Sequence, residues 1–140
     1  MEILHLAAPC RNVPVTFTLD LMKPFEPRQF ATPAEIARSE VEVGRWLRSV
    51  ALSDRESFLR ELWAVHPYWA VRLAGASQLS PEIGWALLKE WLAGEDVNSV
   101  KMLAKTFGRI LGPRTFWKCV AGVELSPRMK SMLEYHRNEV

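Results

Sequence analysis

The alternation of apolar and polar positions divides the chain into a short N-terminal part and a longer helical part. Between Val13 and Leu21 apolar side chains fall on every second residue, the period of a half-buried β-strand. Further along the chain they recur at helical spacing instead, as in Phe58, Leu59 and Leu62. We therefore predict a mainly α protein with an extended segment or β-hairpin at its N-terminus.

The positions of the prolines sharpen this division. Five of the nine prolines precede residue 34, and such a stretch cannot form a long helix because proline lacks an N–H donor. Later prolines mark helix starts, since Ser80-Pro81 and Ser126-Pro127 pair an N-cap oxygen with a proline in the first turn. Ser53 and Glu56 have the spacing of a capping box at another start. The predicted helices are 33–50, 53–65, 67–78, 81–93, 97–111, 113–122 and 127–138.

Length and composition bound the class of protein. A chain of 140 residues suits one domain, here 1–140, with 1–31 as the N-terminal segment and 32–140 as the helical body. The hydrophobic fraction of 49% and charged fraction of 24% exclude wholesale disorder. No apolar run approaches the ~18 residues of a membrane span, so no membrane partner is expected. Cys10 and Cys119 lack any metal-binding or redox motif, and one disulfide between them is the alternative to two free thiols. Because a chain of this length can build its own core without a disulfide, we interpret them as buried free thiols of a cytoplasmic protein.

The helical part repeats with a fixed period. The turns before alternate helices fall at His66, Asp96 and Ser126, which are 30 residues apart. Short linkers between the predicted helices favour antiparallel packing of neighbours. The pattern therefore predicts three antiparallel helix pairs that follow one longer helix.

Two of these pairs resemble the HEAT-like repeat family in their second helix. Residues 96–101 (Asp-Val-Asn-Ser-Val-Lys), followed by Ala104, Phe107 and Gly108, are similar to the family's acidic turn, Val-Arg pair and small residue before a large apolar one. Residues 66–74 are similar too, although His66 replaces the acidic turn residue. Lys101 replaces arginine, and the third pair lacks the Val-Arg dipeptide. The resemblance covers about residues 53–139 and implies a short solenoid, with a closed helical bundle as the alternative.

Motifs for catalysis or metal binding are missing from the sequence. His5, His66 and His136 lack metal-ligand spacing, and no glycine-rich phosphate-binding motif occurs. Glu61 and His66 are not joined by a nucleophile at a recognisable spacing. We therefore predict a protein without catalysis, cofactor or metal. An enzyme would need a carboxylate or thiol in a cleft that the sequence does not reveal.

Charge is distributed unevenly along the chain, although the formal net charge is only +2. Residues 51–97 carry 4 basic and 7 acidic side chains, whereas residues 98–140 carry 8 and 3. Basic side chains stand at i, i+4 and i+8 on one predicted helix and at i, i+4 on the next, which places them on one side of each helix. A solvated surface is one interpretation, and a binding surface for an acidic protein or for phosphates is the other. We call this set the basic face: Lys101, Lys105, Arg109, Arg114 and Lys118.

The aromatic side chains are candidates either for the core or for an interface. Trp63 and Trp91 lie on apolar stripes, so we predict that they are core residues, and Trp46 is assigned to the core as well. Other aromatic residues lie partly off the stripes and would anchor a partner if exposed, since Trp and Tyr dominate binding hot spots. These candidate anchors are Tyr68, Trp69, Trp85 and Trp117.

These observations together favour a small cytoplasmic helical protein that acts by protein–protein binding. The expected type is an adaptor, an inhibitor or immunity factor, or an assembly chaperone, because stacked helix pairs offer an extended surface. The alternative is a nucleic-acid-binding helical repeat protein that uses the basic face within residues 101–118.

Overall fold

A computed structural model describes residues 33–140 of the chain, without the side chains of Pro33 and Ile36. Within this range the backbone is 83% helical and contains no β-strand, which confirms the mainly α fold class. The strand predicted at 13–21 and its hairpin partner at 3–6 lie outside the described residues. The helices are α1 (Pro33–Ser49), α2 (Leu52–Val65), α3 (Pro67–Ala76), α4 (Pro81–Ala93), α5 (Val100–Leu111), α6 (Pro113–Ala121) and α7 (Pro127–Tyr135).

Within residues 33–140 the chain divides into two compact units, with the boundary between Gln78 and Leu79, and each is described by itself. The organisation of residues 1–140 as one domain stays a prediction. None of the helices in residues 33–140 has the length and apolar character needed to cross a bilayer.

The first unit is built around the antiparallel hairpin of α2 and α3. His66 alone separates the two helices, and its backbone ends α2 and begins α3, as expected for a turn residue. α1 packs against both. The indole of Trp46 meets the ring of Phe58 edge-on at 5.5 Å, and the burial of Trp46 confirms its assignment to the core. Fully or almost fully buried apolar residues of this unit include Val43, Leu47, Phe58, Leu59, Leu62, Val71 and Leu73.

The second unit is organised around α5. This helix packs against α4, α6 and α7, and also against the 3₁₀ turns Val97–Ser99 and Arg137–Glu139. Trp91 of α4 is fully buried, as predicted, and its ring meets Phe107 of α5 at 5.6 Å. Gly84 lets α4 approach the end of α5, because a Cβ atom there would lie 2.8 Å from Cγ2 of Ile110.

Side-chain caps confirm three of the predicted helix starts. The hydroxyl oxygens of Ser80 and Ser126 accept hydrogen bonds from the main-chain N–H groups of Ile83 and Met129. Asp96 accepts from Asn98 N–H at 3.1 Å and so caps the 3₁₀ turn that leads into α5. Local hydrogen bonding by short polar side chains therefore sets these boundaries.

The capping box at Ser53 and Glu56 was a wrong prediction. α2 begins at Leu52, and its N-cap residue is Ala51, which offers no side-chain hydrogen bond. The main-chain oxygen of Ala51 instead accepts from the N–H groups of Asp54 and Arg55 at 3.0 and 3.1 Å. Ser53 therefore lies inside the first turn, because an extended alanine starts the helix without a polar side chain.

The helix pairs differ in how closely they follow the predicted pattern. α2 packs against α3, and α4 packs against α5, as expected for antiparallel neighbours. The third predicted pair is not a packed hairpin, since α7 has α5 rather than α6 as its main partner. Buried Met129 and Leu133 place the apolar side of α7 in the core of this unit, which α5 organises.

Candidate protein-binding surface

α5 exposes a single face, and that face is cationic. The residues of α5 that are exposed to solvent are Lys101, Lys105 and Arg109. Because residues four apart on a helix are neighbours, the three side chains follow one another along the helix. The opposite side of α5 is apolar and supplies the centre of the unit with Val100, Leu103, Ala104, Phe107 and Gly108.

The next helix also exposes two cations. Phe116 and Cys119 are the buried residues of α6, and Arg114 and Lys118 are exposed. α5 ends and α6 begins at Gly112, whose φ of 84° and ψ of 153° suit glycine alone. The predicted basic face is thus carried by two consecutive helices that pack against each other.

The basic face has no carboxylate partner in the described structure. Residues 97–123 contain no Asp or Glu. Over residues 33–140, none of the five cations hydrogen-bonds to a carboxylate or forms an ion pair. All five side chains therefore stand in solvent with their charge available to a partner.

Trp117, a predicted anchor, borders this surface. Its half-buried indole lies on α6, with the ring of Phe116 edge-on at 5.2 Å. The guanidinium carbon of Arg137 stands 4.9 Å from the Trp117 ring centroid, a cation–π contact. Nε and Nη2 of Arg137 donate to the two carboxylate oxygens of Glu134 at 3.0 and 3.3 Å.

Trp85, a second predicted anchor of this unit, is half-buried on α4. Its main-chain oxygen accepts a weak hydrogen bond from the Cys119 thiol at 3.7 Å. Burial raises the pKa of Cys119, which favours the protonated thiol over a reactive thiolate. Trp85 and Cys119 therefore join α4 to α6.

The remaining candidate anchors, Tyr68 and Trp69, lie together on α3 in the first unit. Tyr68 is 51% exposed and Trp69 half-buried, and their rings meet edge-on at 5.1 Å. The guanidinium carbon of Arg72 stands 5.9 and 5.8 Å from the two ring centroids. Arg72 also donates to both carboxylate oxygens of Glu40 at 2.7 and 3.1 Å, and this hydrogen-bonded carboxylate raises the pKa of Arg72.

The candidates for catalysis do not assemble into a recognisable site in the described part of the chain. Among residues 33–140, no group of three or more His, Cys, Asp or Glu side chains is arranged to hold a metal ion. Glu61 is exposed, whereas Nε2 of His66 is buried without a hydrogen-bond partner in that range. The cationic surface is therefore the arrangement with the clearest chemical character.

Comparison with known proteins adds no identification. No protein-family model, curated protein or solved structure matches the chain. What can be said of function therefore comes from the arrangement of its residues.

Sequence reasoning located the basic face but missed two contacts in which an arginine binds a carboxylate and lies over an aromatic ring. These arginines are Arg137 and Arg72. Glu134 and Arg137 are three residues apart, and this spacing is a visible signal for a local ion pair. The stacking of Arg137 on Trp117 depends on the fold, because 20 residues separate them. Glu40 and Arg72 lie on α1 and α3, and nothing in the local sequence pairs them.

Proposed function

We propose that this protein is a non-catalytic binding protein whose basic face holds an acidic segment of another protein. The observation that supports this proposal is the set of five exposed cations on α5 and α6 without a carboxylate partner in the described structure. Charge complementarity to such a surface favours a partner rich in Asp and Glu.

The basic face destabilises the free protein slightly, which is consistent with a role in binding rather than in folding. Like charges at i and i+4 destabilise a helix by about 0.2–0.5 kcal/mol per pair. The face contains three such pairs: 101 with 105, 105 with 109, and 114 with 118. Carboxylates of a partner would relieve this repulsion, which gives the bound state an advantage that the free protein lacks.

A protein partner is favoured over nucleic acid by the charge of the whole chain. Nucleic-acid-binding domains are strongly basic as a rule, whereas this chain has a formal net charge of +2. The half-buried Trp117 with Arg137 on its ring adds the residue types that dominate protein–protein hot spots. An adaptor, an inhibitor or immunity factor, or an assembly chaperone would use a surface of this kind.

We also propose that the helix pairs form HEAT-like repeats and that the protein acts in the cytoplasm. The antiparallel pairs α2–α3 and α4–α5 support HEAT-like repeats, whose stacked helices commonly present extended binding surfaces. Cys119 is a buried free thiol, which favours the reducing cytoplasm.

The test is a comparison of three baits in extracts of the native host. Wild type, Lys105→Glu and Lys89→Glu carry the same tag, and Lys89 is an exposed lysine of α4 outside the basic face. Lys105→Glu places a carboxylate between Lys101 and Arg109, a favourable i,i+4 arrangement, so the variant should stay folded. A protein retained by wild type and by Lys89→Glu but lost with Lys105→Glu supports the proposal. Equal retention of all proteins by the three baits overturns it.

Duplex DNA and single-stranded RNA form the second arm of the test. At about 50 mM salt we expect no binding to either. Nucleic-acid binding that falls steeply with salt and is abolished by Lys105→Glu would overturn the protein-partner proposal in favour of the phosphate alternative.

A further inference from the structure

One cation beside the basic face already holds a carboxylate. Arg137 donates two hydrogen bonds to the carboxylate of Glu134, at 3.0 and 3.3 Å, and its guanidinium lies over the Trp117 ring. A planar guanidinium that stacks on an aromatic ring keeps its donor fork pointed outward, which is the geometry for bidentate binding of a carboxylate. The structure therefore contains an arginine site whose present occupant is a residue of the same chain.

This site is continuous with the basic face on α6. Trp117 follows Arg114 by three positions and directly precedes Lys118, so its ring lies beside the exposed side of the helix that carries both cations. Arg137 comes from the Arg137–Glu139 turn, which packs on α5, and brings its guanidinium onto the Trp117 ring of α6, where Glu134 balances its charge. An acidic segment bound along α6 would pass over the Trp117 ring.

The internal carboxylate is held weakly enough to be exchanged. The side chains of Arg137 and Glu134 are 56% and 64% exposed. An exposed ion pair of this kind contributes little to stability, because water and salt screen it. A carboxylate of a bound partner, supported by the neighbouring cations, would displace Glu134 at little cost.

We propose that Arg137, stacked on Trp117, is the anchor that binds a carboxylate of the acidic partner, and that Glu134 occupies this anchor in the free protein. The inference rests on the proposed function, since it assigns one contact of the same partner. Glu134 then acts as a built-in competitor that lowers the affinity of the basic face and selects partners with a carboxylate at the right place.

The experiment measures affinity for a defined acidic probe. The probe is a fluorescein-labelled helical peptide with glutamates at every fourth position, and the same peptide with glutamines in their place is the negative control. Glu134→Gln should tighten binding of the acidic peptide by up to about fivefold, because the peptide carboxylate no longer has to displace Glu134 from Arg137. Arg137→Gln should weaken it by about fivefold or more, because the anchor itself is lost.

Matched variants separate the anchor from the general effect of charge. Glu124→Gln removes one exposed negative charge and Arg128→Gln one exposed positive charge, both outside the anchor. Affinities of Glu134→Gln and Arg137→Gln that merely equal those of their controls would overturn the anchor. Circular dichroism of all four variants confirms that they are folded.

The outcomes also distinguish this inference from the proposed function. If Lys105→Glu abolishes peptide binding while Arg137→Gln behaves like Arg128→Gln, binding through the basic face is supported and the role of Arg137 as an anchor is overturned. If the acidic peptide binds no better than its glutamine control, both fall. Tighter binding of duplex DNA than of the peptide, or self-association of the protein in light scattering, would assign the surface to another occupant and overturn the anchor.

Discussion

Arg55 donates a hydrogen bond from Nη1 to the main-chain oxygen of Gln78 at 3.1 Å, just beyond the end of α3. The same guanidinium donates to the main-chain oxygens of Ser77, Val50 and Arg48, each at 3.0 Å. These carbonyls lie at the C-terminal ends of α1 and α3, where the last carbonyls of a helix lack intrahelical partners. One side chain of α2 therefore closes two helix ends with a cation, the charge that such ends favour.

Arg55→Met should destabilise the first unit substantially. A typical net contribution is about 0.5–1.5 kcal/mol per hydrogen bond, but the freed carbonyls will regain water. We therefore expect a loss of about 2 kcal/mol in the free energy of unfolding rather than the full sum over four bonds. Chemical denaturation followed by circular dichroism measures the change.

Arg45→Met is the matched control, because Arg45 is exposed on α1 and hydrogen-bonds to none of the described residues. Its loss should change stability by less than about 0.5 kcal/mol. Arg55→Lys keeps the charge but cannot reach four carbonyls, so it should recover only part of the loss. Equal effects of Arg55→Met and Arg45→Met would contradict the role of Arg55 at the helix ends.

Gln78→Gly should stabilise the protein. Gln78 has a φ of 54°, in the left-handed region that strains residues with a Cβ atom. Glycine removes this strain and leaves the carbonyl that Arg55 binds, at the cost of greater freedom in the unfolded chain. We expect a net gain of about 0.5–1 kcal/mol in thermal or chemical denaturation. Gln78→Ala keeps the Cβ atom, and an equal gain from it would rule out the backbone explanation.

Glu95 provides an internal contrast to Gln78. It has the same φ of 54°, but its carboxylate accepts a hydrogen bond from the main-chain N–H of Ser126 at 2.8 Å. Glu95→Gly would relieve the backbone and lose that bond, so the two effects should nearly cancel. A gain as large as that of Gln78→Gly would show that the bond to Ser126 adds nothing.

The helices could be predicted from the sequence because local interactions set most of their ends. Ser80 and Ser126 cap helices with their own hydroxyl groups, each before a proline that fixes the first turn. The start of α2 was misplaced because Ala51 carries no polar side chain, and its extended backbone gives no local signal. A helix start that neither a capping side chain nor a proline marks, as at Ala51, is therefore the kind that sequence reasoning misses.

Tertiary contacts limited the prediction of packing and of the site. Lys101, Lys105 and Arg109 were placed on one face correctly, since helical periodicity alone determines that arrangement. The repeat period predicted that α7 would pair with α6, but α7 packs mainly on α5. This choice of partner depends on tertiary packing, which the period does not contain. The contact of Arg137 with Trp117 likewise requires the fold.

Asp54→Asn should stabilise the protein at neutral pH. Asp54 is only 7% exposed, and its Oδ2 is buried without a hydrogen-bond partner among the described residues. Burial raises the pKa of Asp54 above its ordinary 3.8, so the folded state disfavours the ionised form. The wild-type chain therefore loses stability as pH rises from below 3.8 through the folded-state pKa, and the loss is complete above it.

The measurement is the difference in unfolding free energy between Asp54→Asn and wild type across that pH range. The difference should grow in favour of the variant as pH rises and then level off. Glu61→Gln removes an exposed carboxyl from the same helix and controls for the loss of one negative charge. A difference that shrinks with rising pH would mean that the ionised Asp54 is stabilised at the start of α2, as a helix N-terminus alone would do.

Lys105→Gln should make the protein more stable and a weaker binder at the same time. Lys105 stands four residues from both Lys101 and Arg109, and each like-charge pair costs about 0.2–0.5 kcal/mol. Because Lys and Gln have similar helix propensities, we expect the free energy of unfolding to rise by about 0.4–1 kcal/mol at low salt. The gain should shrink as salt screens the repulsion.

Lys89→Gln is the control for this pair of effects, since no charged residue lies three or four positions from Lys89 on α4. It should change neither stability nor affinity for the acidic helical peptide. Lys105→Gln should lower that affinity while it raises stability, because the same charge that strains the free helix attracts the partner. Unchanged stability together with unchanged affinity would mean that Lys105 is merely a solvated side chain and that the basic face does not bind through it.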